Sequence, residues 1–308
     1  MASISLGNVM LRQQYTKMFA SRLPFIDEIM FEYLQAPGWV YPQVFNVRNS
    51  TRAYEEILGV AGFGQFSEKS EAGAVEYDRL IQGYSKRFTH KTYGKGYQIS
   101  MEAQEDDIDA VISDATPALS NVARNSIETE LASDFNGAFS TTTTPDGKAL
   151  CADDHILVGG GSFDNLIASD FSQGALESAI NIFRDMRNDR NQLVDMDPAM
   201  ILYPPELDWI VSEVLQSELK SSTANNAINV VQSNRIGIKQ VMWKYLTDAD
   251  NWFILTQPRM HRIMCYWRTQ PRPDYAMDFD TGNLKTKMIY RLSHGAADWR
   301  GIVGGQGQ

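Results

Sequence analysis

The sequence predicts an α+β fold, and two observations support that prediction. Segments with helical periodicity and segments with strand periodicity are interleaved along the chain, without the regular βαβ alternation that predicts a parallel sheet covered by helices. From Asn229 onward, strand patterns dominate. With 308 residues, of which 43% are hydrophobic and 21% charged, the chain is long enough to bury a core as one large domain or two modest ones.

The charge of the chain argues against several classes of partner. A net charge of −10 disfavours binding of nucleic acid through its phosphates, which needs clustered Lys and Arg, and it disfavours an anionic membrane surface. Acidity does not exclude a protein that encloses nucleic acid without binding it. No window approaches the ~18 uninterrupted apolar residues of a membrane span, and residues 1–19 lack the apolar core of a signal peptide. We therefore expect a protein kept in the cytosol unless it ends up in a particle.

The first hundred residues predict little structure that could stand alone. Residues 1–50 show only a weak helical pattern, at 25–34, and we interpret them as an extended arm. Within 51–98, strand-like stretches at 74–83 and 86–100 flank turns, and they predict a charged hairpin that projects from the body. A projecting hairpin has no core of its own, so we expect something else to cover it.

A long amphipathic helix is predicted next. Acidic residues at 105–107 suit a helix N-terminus, and the pair Thr116-Pro117 predicts the start of a second, longer helix. The apolar stripe of this helix comprises Leu119, Val122, Ala123, Ile127, Leu131 and Phe135. Asn136-Gly137 is a typical helix end. We interpret the helix as a spine.

The second half alternates helices and strands. Ser172 is predicted to open a helix, and residues 200–218 predict a buried strand, a break at Pro204-Pro205 and an amphipathic helix. Further strands are predicted at 241–245, 252–256, 263–268, 275–279 and 284–292, the last two joined by a turn at 280–283. The tryptophans of this half are expected mostly in the core, with some at subunit contacts if the protein assembles: Trp209, Trp243, Trp252, Trp267 and Trp299.

The segment CADDHILVGGG, at 151–161, is easily mistaken for an active site. Cys151, Asp153, Asp154 and His155 could ligate zinc, but no second ligand pair with comparable spacing occurs in the chain. The spacing of Cys151 and His155 does not by itself provide a nucleophile with its base. We therefore predict a surface loop and no chemistry at these residues.

Other motifs for chemistry are missing as well. The glycines at 159–161 lack the spacing of a phosphate-binding loop, and the dinucleotide pattern GxGxxG does not occur. The acidic group at 102–109 is interpreted as a solvated helix cap. We predict no enzyme activity, no catalytic residue, no cofactor and no metal.

Several stretches resemble the major capsid proteins of tailed bacteriophages, which share the Hong Kong 97-type fold, and are similar to Mu-like head subunits in particular. They are YGKGYQISMEAQEDDIDAV (93–111), TTTTPDGKALCADDHILVGGGSFDNL (141–166), MILYPPELDWIVSEVLQSE (200–218), WFILTQP (252–258) and ADWRGIV (297–303). The resemblance covers roughly 45–305. Cys151 departs from it, because relatives more often carry an aromatic residue there.

The resemblance implies a structural protein that assembles into an icosahedral head. The implied segments are an N-terminal arm (1–50), an extended loop lying over a neighbour (51–98), a peripheral domain with the spine helix (99–167 and 271–308) and an axial domain (168–270). Copies would form hexamers and pentamers in the virion, assembled in the host cytoplasm, around double-stranded DNA that is not bound sequence-specifically. A scaffold, a portal and decoration proteins would be separate partners.

The charged side chains of the extended loop are predicted to set the register between subunits: Glu68, Lys69, Glu71, Arg79, Lys86 and Arg87. The alternative is that they are merely solvated. Two other functions stay open. One is an encapsulin-like nanocompartment on the same fold, loaded with enzyme cargo. The other is a cytosolic α+β enzyme, a small oligomer, that uses Cys151 or His155.

Overall fold

The computed structural model describes residues 38–75, 77–79, 81–100, 102, 108–217 and 237–307, with the side chains of 108–117 left out. Its helices are α1 (Tyr41–Val44), α2 (Ile108–Asn136), α3 (Gln173–Arg184) and α4 (Asp208–Gln216), the last preceded by a 3-10 turn (Pro205–Leu207). The helical pattern at 25–34 and the acidic helix start at 105–107 lie outside the described residues.

The strands in chain order are β1 (Asn46–Asn49), β2 (Tyr54–Val60), β3 (Gln82–Thr89), β4 (Lys91–Ile99), β5 (His155–Ile156), β6 (Ser162–Phe163), β7 (Leu166–Ile167), β8 (Met200–Tyr203), β9 (Lys239–Met242), β10 (Trp252–Leu255), β11 (Ile263–Met277), β12 (Leu284–Ala296) and β13 (Ile302–Gly305). They form a four-stranded sheet of order β1-β11-β12-β4, a five-stranded sheet of order β7-β13-β10-β8-β9, and two two-stranded ribbons, β2-β3 and β5-β6. The mixture of helices and sheets confirms the predicted α+β class.

By its internal contacts the chain divides into two compact units. Among the described residues, the smaller unit comprises parts of 92–127 and 269–291 together with Gly38, and the larger unit comprises parts of 39–91, 128–268 and 292–307. This division reflects contacts within one copy. It does not test the four segments expected from the sequence, which stay a prediction.

The core of the larger unit lies against the five-stranded sheet. β10 is antiparallel to both β8 and β13, and every residue of these three strands is buried. Strands covered on both faces are expected to be continuously apolar, as MILY and WFIL are. The helix α3 adds its apolar face to the same core: Leu176, Ala179, Ile180 and Phe183. The predicted cap is confirmed, because the Ser172 side chain accepts a hydrogen bond from the N–H of Ala175.

The long helix α2 differs from its prediction at the N-terminal end. The sequence predicted a new helix at Thr116-Pro117, but one helix continues from Ile108 to Asn136 through Pro117. Proline lacks the N–H of one intrahelical bond, but its φ is compatible with a helix, so the helix did not have to restart there. The predicted stripe is confirmed except at Val122, which is exposed, and so is the end at Asn136.

A segment that the sequence left as an extended arm packs into the core of the larger unit. Val44 and Phe45 are buried, and β1 runs parallel to β11 with Asn46 opposite Met264. The ring of Phe45 meets those of Phe135 and Trp243 edge to face, at 5.9 and 6.4 Å between centroids. The part of the predicted arm described from residue 38 onward is thus anchored by aromatic side chains.

The strand predicted at 74–83 is wrong except at its end, because β3 begins only at Gln82. The partner of β3 is β2, with Tyr54 opposite Thr89 and Ile57 opposite Lys86, and the described residues between Val60 and Gln82 form no strand. The described residues of 74–81 have no strand opposite them, and a strand forms only where a second strand completes its ladder of hydrogen bonds.

The last sheet follows the prediction with one change. The turn at 280–283 joins β11 to β12 as expected, but the stretches 263–268 and 275–279 belong to the single strand β11. β11 includes Pro271 and Pro273, which donate no backbone hydrogen bond. They lie beyond the pairing with β1, which ends at Trp267 in the described part of the chain, so they remove no bond of that ladder. No described helix is long and apolar enough to cross a membrane.

Candidate functional site

The strands β2 and β3 and the segment 61–81 that joins them are called here the ribbon, and its root is fixed to the larger unit. Ile57 of β2 and Phe88 of β3 pack with Met264 and Tyr266 of β11 in one apolar cluster. The rings of Phe88 and Tyr266 lie 5.4 Å apart. The ribbon therefore starts from a packed base and not from a loose hinge.

Beyond this root, the ribbon exposes large apolar side chains. Leu58 is 55% exposed and Val60 58%, and Phe66 is fully exposed. The other exposed apolar side chains of the ribbon are Tyr54, Phe63, Val75, Tyr77, Ile81 and Tyr84. Soluble monomers rarely gather so much apolar surface on one projecting element, and such surface marks an interaction site.

The alternation along β2 explains which side chains face outward. Tyr54, Glu56, Leu58 and Val60 are exposed, whereas the residues between them are partly buried. Arg87 lies opposite Glu56 and 3.6 Å above the ring of Tyr54. The outward face is thus charged near the root and apolar toward the connecting segment.

The six predicted contact residues all lie on the ribbon but do not form one group. Glu68, Lys69 and Glu71 are exposed in the connecting segment, as expected for a charged tip. Arg79 is exposed on the returning side, and Arg87 is exposed on the outward face of β3. These five side chains are accessible to another copy, and their role between subunits stays a prediction.

Lys86 is placed differently from the other five. It is half-buried, and its Nζ donates to the backbone oxygen of Thr143 in the same subunit at 2.7 Å. Burial lowers the pKa of Lys86, partly offset by the charge of Asp134. Its ammonium group is engaged inside its own subunit.

A cavity of about 330 Å³ lies beside Lys86, lined by residues from β3, α2, the segment 141–143 and β12. In its wall, His294 lies between two carboxylates of α2: Nδ1 is 2.8 Å from Asp134 and Nε2 is 3.4 Å from Glu130. Burial alone would lower the pKa of His294, but the hydrogen bonds and charges of Asp134 and Glu130 raise it to about 9. The imidazole is therefore a cation at neutral pH.

Sequence reasoning missed this cluster. A lone histidine in the sequence does not indicate such a cluster. Its partner carboxylates show only as two acidic residues four apart on one helix, which does not point to the histidine.

The segment 151–161 is not the solvent-facing loop that the sequence predicted. Asp153 and Asp154 are exposed as expected, but Cys151 and His155 are buried. The His155 ring stacks on Trp299 with 4.6 Å between centroids, and its Nδ1 lies 2.7 Å from Asp146. The prediction of a surface loop is therefore wrong for these two residues. Around His155, aromatic stacking and a buried carboxylate replace water.

The buried groups of this segment are suited to packing. Burial raises the pKa of the Cys151 thiol well above its usual range, and burial also raises that of Cys265, to about 12. A thiol in this state is protonated, and the thiolate is the nucleophile. Burial would raise the pKa of Asp146, but hydrogen bonds from His155 and Thr144 outweigh it and lower the pKa. Within the described residues, no three His, Cys, Asp or Glu side chains group closely enough to hold a metal ion.

Four of the five tryptophans expected mostly in the core are buried: Trp243, Trp252, Trp267 and Trp299. Trp209 is the exception. It is 84% exposed on α4, whose other face packs through Val211. The amphipathic helix predicted within 200–218 is confirmed, with Val211 buried, but Ile210 is exposed as well as Trp209.

The mixed fold matches phage capsid structures of the Hong Kong 97 type. The chain is similar to a structure described as the capsid of a native GTA particle, with a TM-score of 0.55 and 10% identity over 86% of this chain and 88% of that one. It is similar to the capsid of the cyanophage P-SCSP1u, with a TM-score of 0.54 and 11% identity over 88% of each chain. A virus-like particle from Pyrococcus furiosus gives a TM-score of 0.51 at 9% identity, over 92% of this chain and 98% of that one.

The sequence itself matches the family described as phage capsid protein over residues 83–304, and the chain belongs to this family. No curated protein matches the sequence. The chain is a major capsid protein of the tailed-phage type, a structural protein of the virion that assembles into a shell of many subunits. Membership of this family indicates a structural and non-enzymatic role.

Proposed function

We propose that copies of this chain close as hexamers and pentamers into an icosahedral head around double-stranded DNA, and that the ribbon of one copy is covered by its neighbours. The exposed apolar face of the ribbon supports this proposal most directly. Leu58, Val60 and Phe66 have no cover from the core of their own subunit. Burying such side chains against another copy releases about 25 cal/mol per Å² of apolar surface.

The size of the required interface fits an extended element. Permanent assemblies bury on the order of 2,000 Å² or more per contact set. A two-stranded ribbon with a long connecting segment exposes a large surface for such an interface with few residues. The packed root at Ile57 and Phe88 lets it extend without loosening the body.

The charged residues of the ribbon would set the register of that contact. Glu68, Lys69, Glu71, Arg79 and Arg87 are exposed, and charge pairs across an interface select orientation more than they add affinity. Lys86 contributes by holding β3 to the segment at 141–143 of its own subunit.

The net charge supports enclosure of DNA without adhesion. A chain of net charge −10 that displays part of this charge inward repels the packaged phosphates from the wall. Scaffold, portal and decoration proteins would be separate chains, and assembly would take place in the host cytoplasm. We propose no enzyme activity, cofactor or metal for this chain. The buried state of Cys151 and His155 argues against the small-oligomer enzyme.

The test is electron microscopy of the purified protein with mass analysis of the particles. We expect closed shells of megadalton mass that package DNA when made in an infected host. Shells that hold a cargo protein and no DNA would favour the nanocompartment, and a small oligomer would contradict both shell functions.

Charge reversal at the tip tests the contact itself. The double variant Glu68→Lys and Glu71→Lys should fold normally and yield fewer closed shells, because two of the proposed register-setting charges change sign. Neutralising Asp153, an exposed carboxylate off the ribbon, is the matched control. Unchanged shell yields in the double variant would remove these two residues from the interface.

A further inference from the structure

A carboxylate joins the two sides of the connecting segment of the ribbon, beside the backbone bond from Ala61 N–H to the oxygen of Ile81. Asp78 Oδ2 accepts the N–H of Gly64 at 2.6 Å, and Oδ1 accepts the N–H of Arg79 at 2.7 Å. Gly64 lies on the outgoing side of the segment, and Asp78 and Arg79 lie on the returning side. The carboxylate therefore ties both sides together below the residues 65–77.

The same point is bound to the body of the subunit by Arg190. Its Nη2 donates to Asp78 Oδ1 at 3.2 Å and to the backbone oxygen of Arg79 at 2.7 Å. Charge-assisted hydrogen bonds of this kind are directional as well as attractive. Gly64, Asp78 and Arg190 are called here the clasp.

Arg190 is presented by a rigid turn. The Asn188 side-chain oxygen accepts the N–H groups of Arg190 and Gln192, and residues Arg187 and Leu193 pair across the turn. An asparagine that bonds the backbone two residues ahead fixes a turn in this way. The turn thus fixes the backbone of Arg190 through bonds that do not involve Asp78.

This turn is itself fixed to the core of the larger unit. Arg300 donates to the backbone oxygen of Arg187 at 2.7 Å and to the carboxylate of Asp189 at 2.8 Å. Met186, at the start of the turn, is fully buried. A continuous set of contacts therefore leads from the core through Arg190 to both sides of the connecting segment.

We propose that Asp78 and Arg190 are positioning residues for shell assembly: the clasp sets the direction in which residues 65–77 leave their own subunit, and so where they meet the next copy. This inference rests on the proposed function, because it assumes that the connecting segment docks on another copy. Phe66 and Tyr77, both exposed just beyond the clasp, are the side chains whose direction it would set.

A purely stabilising role would give a different result. The side chains of Asp78 and Arg190 are 35% and 20% exposed, and ion pairs this accessible contribute little to global stability. Loss of the pair should leave the melting temperature nearly unchanged. It should instead loosen the connecting segment, which has local stability of its own.

The experiment compares Asp78→Asn, Arg190→Gln and the double variant with the parent. In unassembled subunits, we expect several-fold faster amide hydrogen exchange at 62–66 and 77–81 and no change at α3 or β10. In assembly reactions, we expect a several-fold lower fraction of closed shells. The double variant should show less than the sum of the two single effects, because both single changes break the contact between Asp78 and Arg190. Asp195→Asn, which removes an equal charge from an exposed residue near the turn, is the control.

The outcomes separate the two proposals. If the parent closes into shells and both single variants do so equally well, the clasp has no positioning role and this inference is overturned. Exchange rates at 62–66 that match the parent would overturn it as well. If the parent forms no shells at all, the proposed function fails instead.

Discussion

The buried carboxylate of Glu128 accepts the indole N–H of Trp243 at 2.7 Å. Its other oxygen accepts the backbone N–H of Val40 at 2.9 Å. One side chain of α2 thus bonds both to the segment before β1 and to the loop after β9. A buried carboxylate is usually hydrogen-bonded, and this one accepts a bond at each of its oxygens.

Glu128→Ala should therefore destabilise the subunit. It leaves the indole N–H of Trp243 buried without this acceptor, which costs about 1–3 kcal/mol, and it also removes the bond from the half-buried Val40 N–H. Chemical denaturation of the unassembled subunit measures the free energy of unfolding. Glu213→Ala, which removes an exposed carboxylate from α4, should change that energy by less than about 0.5 kcal/mol. Equal stability of the Glu128 variant and the parent would contradict this role.

The protonated His294 predicts a loss of stability at alkaline pH. Its pKa is raised from 6.5 to about 9 in the folded subunit, so its protonation contributes stability that is fully present below pH 6.5 and is lost as the pH rises through about 9. The charged groups around it are Asp134 and Glu130, with Lys91 paired to Glu130.

The measurement is thermal unfolding across this pH range. The parent should lose stability between pH 6.5 and about 9, and His294→Gln should show a flatter profile there because the titrating group is gone. Profiles of the same slope would show that other groups control the alkaline loss.

A second packing prediction concerns β13. A Cβ added at Gly305 would overlap the indole of Trp252, which pairs with it across the sheet. Gly305→Ala should destabilise the subunit by at least the ~1–3 kcal/mol typical of overpacked cores. Gly174 in α3 meets nothing within 4 Å of such a Cβ, so Gly174→Ala should be neutral or stabilise by up to ~1 kcal/mol. Equal denaturation midpoints for the two variants would contradict the close approach of Gly305 to Trp252.

The outward face of β2 predicts a variant that folds but does not assemble. Leu58→Ser with Val60→Ser removes exposed apolar surface and so should leave the melting temperature unchanged while abolishing closed shells. Glu56→Gln is the control, because it changes a side chain on the same face without removing apolar surface. Sedimentation of both variants measures the outcome, and wild-type shells from the serine variant would exclude this face from the contact.

The sequence predicted correctly those elements that depend on residues close together in the chain. Ser172 caps α3 and the turn at 280–283 joins β11 to β12, because capping and turn residues act on their immediate neighbours. The strand WFIL was predictable because a strand buried on both faces is uniformly apolar.

Features that depend on distant partners were not predictable. The burial of Phe45 depends on Phe135 and Trp243, and that of His155 depends on Trp299 and Asp146. No local pattern encodes these partners. The strand β2 was missed because its outward positions carry apolar residues, which reverses the usual alternation of a strand on a monomer's surface.

Hydroxyl-radical footprinting of unassembled subunits and of closed particles tests most directly whether other copies cover the ribbon. Leu58, Phe66 and Tyr77 are exposed in the single subunit, and their oxidation should fall strongly in the particles, whereas buried Trp252 should stay unreactive in both. Equal oxidation of these three side chains in subunits and particles would contradict the account.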